Sequence, residues 1–580
     1  MVRWHLLTAV LLTAASVSHL PAQRLSTLTI SVIATSDLHG AVLPRGERGG
    51  LALLGGYVRN IRAARTQDGG GVLLVDSGDM FQGTLESNLN EGAAVVGAYN
   101  ALGYAAAAIG NHEFDYGPVG PDETVQKPGE DPRGALKARA ASARFPFLAA
   151  NTIDDATGQA VTWTNVKPST LVDVRGVKIG LIGVTTPDTA ALTIGANVIG
   201  LTFAPLVPVI TREATALRAR GAAVVIVLAH AGGRCTELDD PENLSSCDQM
   251  AEIVRVAREL PVGLVDMIAA GHTHQAMAHN VSGIAIVEPY VAGRSFSRVD
   301  LTIDRSTRTL TGKHIFPTHD LCGREDAATH TCDPAAPRGA VLVPARYENR
   351  LVRPDAIVAA ALAPAERRAA AVKNEPIGVS LETPFTRGDQ QTETAIADLV
   401  ADGTLASTPG ADVAISNGGS LRTDLPAGPL TYGSLYELYP FDNRIVTLRL
   451  TGDQVTRIIA HSLERNVAPF ELVPIAGFKV DARCEGSVLR VTLTRSSGVP
   501  IRADDQLTVA TSDFVAGGGD GIVAPAEPLG EIKAVDGVPL LRESLVAWLR
   551  RRGGRLNESQ FVSAEHRRWS YPGSRPVVCQ

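Results

Sequence analysis

Residues 105–117 read AAAAIGNHEFDYG, a run of small apolar residues that breaks into a glycine, an amide, an imidazole and two acids. The run has the length of a buried strand, and the glycine marks where it stops. Asn111, His112, Glu113 and Asp115 therefore stand in the turn just past a strand at Ala105–Ile109. Open α/β sheets build their binding sites beyond the carboxyl ends of their strands, so this stretch already argues for such a sheet.

The same arrangement recurs outward in both directions. Asp37-Leu38-His39 follows the apolar stretch Leu28–Ala34, and Gly78-Asp79 follows Gly71–Val75. His230 follows Ala223–Leu228, and Gly271-His272-Thr273-His274 follows Val265–Ala269. Any one of these is an ordinary polar turn; five in succession, each just beyond a strand, form a set. The flanking glycines let the backbone turn sharply and let the polar groups approach one another. A further strand is expected at Val177–Val184, with helices at Leu51–Ala64 and Pro205–Arg220. This alternation from Leu28 to about residue 315 predicts an α/β layered domain. Strands at Ile284–Val287 and Arg298–Ile303 close it, and its span is taken as 28–345. Residues 317–340, rich in Thr, Asp, Pro and Cys, read as a surface insertion.

An Ala-rich helix over 355–373, between Pro354 and Pro376, reads as a linker spanning 354–376. The pattern then restarts. Strands are expected at Asp412–Ile415, Ile445–Leu450, Gly477–Val480, Arg490–Leu493 and Gln506–Thr511, with helices at Ala395–Ala406 and Thr451–Leu463. They predict a second, mixed α/β domain over 377–550, followed by a basic and then irregular tail at 551–580.

The bulk numbers agree. A chain of 580 residues allows two to four domains at roughly 150 residues each. With 45% hydrophobic and 20% charged residues it has an ordinary soluble composition. A net charge of −7 excludes the basic footprint of a nucleic-acid-polymer binder. It does not exclude a small anion, because metal ions can override the local field. Arg3, the apolar run Leu6–Val17 and Leu20-Pro21-Ala22 read as a secretory signal over 1–22, cleaved near Ala22. That run is too short to span a bilayer comfortably, and neither a lipid-anchoring Cys nor a hydrophobic tail is seen. A secreted or periplasmic protein without a transmembrane anchor is expected. Six cysteines fit an oxidising compartment; Cys235/Cys247 and Cys322/Cys332 are the candidate disulfides among fifteen possible connectivities. No C-x2-C spacing supports a zinc ribbon.

Carboxylates, imidazoles and one amide, without a thiolate, suit Zn, Mn, Fe or Co. Asp37, His39, Asp79, Asn111, His112, His230, His272 and His274 are too many for one ion. A carboxylate such as Asp79 can bridge two ions about 3.5–4 Å apart, so two divalent metals are expected. His112, next to Asn111, can point away from the metals while Asp115 fixes its tautomer and favours its charged form.

The order Asp-x-His, Gly-Asp, Gly-Asn-His-Glu, His, Gly-His-x-His resembles the calcineurin-like metallophosphoesterase signature. Residues 109–117, IGNHEFDYG, are specifically similar to the secreted 5'-nucleotidase family. The resemblance implies a four-layer αββα sandwich followed by a C-terminal nucleotide-binding domain. It assigns Asp37, His39, Asp79 and His274 to one metal, and Asp79, Asn111, His230 and His272 to the other. It makes His112 and Asp115 a catalytic dyad, with a metal-bridging hydroxide attacking phosphorus in line.

In the second domain, Asn417-Gly418-Gly419-Ser420-Leu421-Arg422 follows a strand and can hold an anion through backbone N–H groups and a guanidinium. Phe441 and Phe514 can sandwich a base, and Asp520 can accept bonds from ribose hydroxyls. The resemblance supports these roles, with Asn417, Gly419 and Arg422 as substrate contacts. It also exposes a departure: Gln390 stands where family members carry a phosphate-binding arginine, and Arg387 is the candidate replacement. The expected activity is hydrolysis of 5'-nucleotides to nucleosides and phosphate, a small-molecule reaction. Alternatives are a 2',3'-cyclic-nucleotide phosphodiesterase, a UDP-sugar hydrolase, a more distant sulfur-oxidising hydrolase, or an inactive nucleotide-binding surface protein.

Overall fold

The computed structural model describes residues 26–120, 122–332, 341–465, 471–529, 532–534 and 540–579; the signal expected at 1–22 lies outside them. Thr27–Thr35 forms the axis of the first sheet. It runs parallel to Gly71–Asp76, and the parallel order continues through Ala106–Ala108, Phe147–Leu148 and Val166–Lys167. On its other side Ser295–Asp304 and then Leu310–Ile315 pair antiparallel. The second sheet orders Ala276–Val281, Ile284–Pro289, Met267–Ala270, Val224–His230, Val177–Thr185 and Ser169–Val174.

Near-continuous apolar runs form these strands because both faces are covered. Every residue of Val224–His230 is buried. Val32 and Val75 of the first sheet share one core with Leu181, Ile226 and Met267 of the second. Outside the first sheet pack Leu51–Asp68, Ala93–Leu102 and Gly134–Ser142; outside the second pack Leu206–Ala219 and Glu252–Glu259. The result is the four-layer αββα sandwich that the resemblance implies. The expected strand at Ala105–Ile109 contracts to Ala106–Ala108. Ser169–Val174 and Ala276–Val281 are not legible in the sequence, since polar residues interrupt them.

The stretch expected to be a surface insertion is partly internal. Leu321, Cys322 and Cys332 are buried in the first sheet's outer core, and Tyr57 Oη donates to the Cys322 carbonyl at 3.1 Å. The Cys322–Cys332 bond causes this, because it folds the segment back beneath Leu51–Asp68. Cys235–Cys247 also forms, and a third bond joins Cys484 to Cys579.

Ala356–Lys373 is the connecting helix. Asp355 caps it by accepting the N–H groups of Ile357 and Val358. Val358, Leu362 and Ala365 bury into the first domain, so most of the helix belongs to that body. Its far end marks the junction, where Ala369 meets Leu85 of the first domain and Tyr436 of the second. Lys373 Nζ bridges Glu86 at 3.3 Å and Glu437 at 2.6 Å across it.

The second domain centres on a sheet ordered Ile475–Ala476, Val413–Ile415, Gln506–Ser512, Ile445–Thr451 and Ile532–Ala534. Residues 551–579 are not an irregular tail. Gly554–Leu556 and Trp569–Ser570 add strands to two smaller sheets, and Trp569 and Val577 are buried in the domain core. The basic composition hides this, because the packing rests on a few apolar residues and on the bond to Cys484.

Candidate metal centre

Strand register assembles the site. Thr35 lies beside Asp76 and Asp76 beside Ala107, so the turns bearing Asp37, Asp79 and Asn111 leave one sheet edge together. In the second sheet Ala229 lies beside Ala270, so His230 and the His272–His274 turn leave the facing edge together. Stacking the sheets closes the two edges on each other.

Two groups of donors result. Asp37, His39 and His274 form one; Asp79, His230 and His272 form the other, the ligand atoms of each within 4.8 Å of one another. Asp79 Oδ2 lies 3.0 Å from His230 Nε2 and 3.8 Å from His39 Nε2, between the groups. Asn111 Oδ1 reaches His230 Nε2 at 3.0 Å, and its Nδ2 donates to the Leu192 carbonyl at 2.8 Å, which fixes the amide. Asp37, His39, Asp79, His272 and His274 all hold left-handed backbone, with φ from 47° to 82°. Such conformations persist only where surrounding contacts over-determine them. Here Asp37 N–H donates to Gly78 O, His39 N–H to Asp79 O, and His272 N–H to the Asp37 carboxylate.

Glycine is required for close approach. A Cβ on Gly110 would fall 2.3 Å from Asp79 Oδ1, and one on Gly78 would fall 2.7 Å from the Gly110 nitrogen.

The donors fit a cation. His39 Nδ1 donates to the Gln82 carbonyl at 2.9 Å and His230 Nδ1 to the Ser77 carbonyl at 3.0 Å, so both Nε2 atoms face inward. Burial pushes His272 down to about 3, and burial together with nearby cationic groups holds His39 and His274 well below the ordinary imidazole range. Neutral imidazole is the ligating form. Burial likewise raises Asp37 to about 6. Burial opposes a charge on His230, yet Asp79, Asp37 and Glu113 outweigh it and carry the ring to about 10. The same three carboxylates would stabilise a positive ion at this position.

His112 belongs to the same cleft but not to either donor group. Its N–H donates to Asp79 Oδ1 at 2.9 Å, and its Nδ1 meets Asp115 Oδ2 at 2.6 Å. Burial disfavours the charged ring, but Asp115 and Asp79 prevail and raise it.

The second domain reaches into this cleft. Arg422 Nη2 lies 3.3 Å from His39 Nε2, and its guanidinium lies 5.6 Å from the Phe441 ring centre. Phe441 lies 5.9 Å from the His112 ring. Val413–Ile415 and Gln506–Ser512 run parallel, so the turns after them adjoin, and Asn417 Nδ2 donates to Asp520 Oδ2 at 2.8 Å. Gly419 lies in the Asn417 turn, and Gly519 leaves room for the half-buried Phe514 ring. Arg387 Nη1 donates to the Leu421 carbonyl at 2.6 Å, and Gln390 Nε2 to the Gly418 carbonyl at 2.7 Å.

Three supporting residues have no role assigned from sequence. Glu113 accepts the N–H groups of Gly110 and Asp79 at Oε2 and that of Met80 at Oε1, stapling two ligand turns together. Its place inside the Asn111–Asp115 motif is the available signal. Thr193 donates to Asp115 Oδ1 at 2.8 Å. Glu288 accepts from Thr273 Oγ1 and Gly233 N–H, bracing the His272–His274 turn. Nothing local marks either.

The calcineurin-like phosphoesterase family matches residues 30–276, and the 5'-nucleotidase C-terminal domain matches residues 370–527. Protein UshA of Yersinia enterocolitica is 27% identical over 523 residues, covering 85% of this chain and 86% of that protein. Among solved structures, a 5'-nucleotidase precursor from Thermus thermophilus superposes with a TM-score of 0.70 at 24% identity, over 94% of this chain and 99% of that one. The sulfate thiohydrolase SoxB of Thermus thermophilus has a TM-score of 0.67 at 18% identity, over 95% and 98%.

Proposed function

This chain belongs to the 5'-nucleotidase family of calcineurin-like phosphoesterases and is a phosphoric ester hydrolase, and from that premise we propose that it converts 5'-nucleotides to nucleosides and phosphate. The observation that carries the nucleotide reading is the convergence of Arg422 and Phe441 on His39 and His112. A metal face and an aromatic, cationic face then share one cleft, as an ester with a charged end and a flat end requires.

Asp37, His39, Asp79 and His274 would hold one divalent ion, and Asp79, Asn111, His230 and His272 the other. Such a pair supplies hydroxide near neutral pH and neutralises phosphoryl charge. Around it, the chain's own residues orient and discharge the substrate. Arg422 binds a phosphoryl oxygen through its planar fork. His112, held by Asp115, presents its Nε2 proton to the oxygen on which charge develops. Phe441 and Phe514 stack the base, while Asp520, with Asn417 and Gly419 behind it, receives the ribose hydroxyls. Arg387, bonded to the Leu421 carbonyl, adds positive charge beside Arg422. Three disulfides and the signal-like residues 1–22 support a secreted or periplasmic location, and among the described residues no helix is long and apolar enough to cross a membrane.

One observation favours a second reading. Gln390 brings no charge and spends its amide on Gly418. A cleft with fewer cations suits a monoanionic phosphodiester, such as a 2',3'-cyclic nucleotide, better than a phosphate dianion. The fold alone does not choose, since a sulfate thiohydrolase shares it. A panel of AMP, UMP, 2',3'-cyclic AMP, UDP-glucose and ATP with added Mn or Co decides. Turnover of AMP above the diesters supports the first reading, the reverse order supports the second, and no nucleotide turnover sinks both.

A further inference from the structure

Gln82 touches both halves of the cleft. Its carbonyl accepts His39 Nδ1–H at 2.9 Å, while its side-chain Nε2 donates to the Pro440 carbonyl at 3.0 Å. Asn88 Nδ2 donates to the same carbonyl at 3.2 Å. Pro440 immediately precedes Phe441, whose ring faces His112 and Arg422. The metal-bearing domain thus holds the second domain's aromatic loop by one backbone oxygen, next to the ring that would stack a base.

Neither amide is placed by chance. Asn88 Oδ1 accepts both Gly83 N–H at 3.0 Å and Tyr116 Oη–H at 2.8 Å, which leaves Nδ2 facing Pro440. Gln82 is only 1% exposed, and its Oε1 is buried without a hydrogen-bond partner. An unpaired buried acceptor is destabilising. The bond to Pro440 is the contact that compensates this orientation, and it crosses from one domain to the other.

We propose that Gln82, assisted by Asn88, is a positioning residue that couples seating of a base on Phe441 to the orientation of His39. A base on Phe441 steadies the Pro440 carbonyl, that carbonyl steadies the Gln82 side chain, and the Gln82 backbone keeps His39 Nε2 turned toward the donor cluster. The coupling rests on the nucleotide reading above, and the domain latch itself does not.

The test uses the full, metal-loaded chain. Gln82→Met keeps the side-chain volume and removes the donor. Gln82→Glu keeps the shape and sets a carboxylate against the Pro440 oxygen, so it serves as the second variant should the first fold poorly. Turnover of AMP and of glycerol phosphate, bound metal, and the radius of gyration by small-angle scattering are measured. The expected result is retained metal, a larger radius of gyration, and an AMP kcat/KM lowered about tenfold more than that of glycerol phosphate, which has no base to seat but still uses Arg422. Equal losses on both substrates overturn the proposal, as does an unchanged radius of gyration. If the native chain hydrolyses no nucleotide, the nucleotide reading fails separately. Scattering then decides the latch: expansion of either variant supports it, and an unchanged radius in both rejects it.

Discussion

Arg422 of the second domain stands 3.3 Å from His39 of the first, guanidinium nitrogen to imidazole nitrogen. The guanidinium N–H donates to the unprotonated imidazole nitrogen, which stations the arginine's positive charge at the donor cluster, where an anion would meet it. Replacing Arg422 by alanine should lower kcat/KM about 10²–10³-fold, as loss of an aimed charge donor does elsewhere. Metal content should not change, because Arg422 comes from the other domain. Metal loss in Arg422→Ala would remove it from substrate binding.

Asp79 and His112 should separate by readout. Asp79 lies between the two donor groups, so Asp79→Ala should lose most bound metal, and activity should not return on adding Mn or Co. His112→Ala should keep its metal and lose about 10²–10⁴-fold in turnover. Metal analysis of the two purified variants checks this, and equal metal contents would contradict the division of roles. Chelation of the native protein should reproduce the Asp79→Ala activity but recover when ions are restored.

Gly110→Ala tests packing at the centre. Its Cβ would sit 2.3 Å from Asp79 Oδ1 and 2.6 Å from the Asp79 nitrogen. Metal affinity should fall, with about 1–3 kcal/mol lost from stability through overpacking. Gly97→Ala is the control, since nothing lies within 4 Å of its Cβ and it sits inside the helix Ala93–Leu102. That change should stabilise by about 0.5–1 kcal/mol. Denaturant melts of both variants give the comparison.

The bond between Cys484 and Cys579 spans 95 residues, against 12 and 10 for the other two. Loop-closure entropy makes it the most stabilising of the three in the chain-entropy picture. The double serine variant at 484 and 579 should lose about 2–5 kcal/mol and loosen the packing of Trp569. Tryptophan fluorescence during unfolding reports this; a melt like that of the native chain would count against it.

What the sequence makes legible follows physical locality. Asp37, Asp79, Asn111, His230 and His272 each follow an apolar strand closely, so period and punctuation locate them. Buried parallel strands such as Val224–His230 announce themselves by composition. Gln82, Thr193 and Glu288 act through partners far along the chain, often through backbone carbonyls that leave no trace in residue identity. The antiparallel edges Ser169–Val174 and Ala276–Val281 carry polar residues that break the apolar pattern. The stretch after residue 551 reads as a tail because one disulfide and four scattered apolar anchors, Leu556, Phe561, Trp569 and Val577, stand in for a continuous apolar pattern.

The left-handed backbone at Asp37, His39, Asp79, His272 and His274 narrows what can replace them. Short polar side chains and glycine tolerate that conformation, whereas β-branched or bulky residues resist it. Anyone retuning this centre for another metal therefore draws from a small alphabet of Asp, Asn, His and Gly. Three letters of that alphabet supply oxygen or nitrogen donors, and none supplies sulfur. The turns thereby bias redesign toward hard and borderline ions before any ligand geometry is considered.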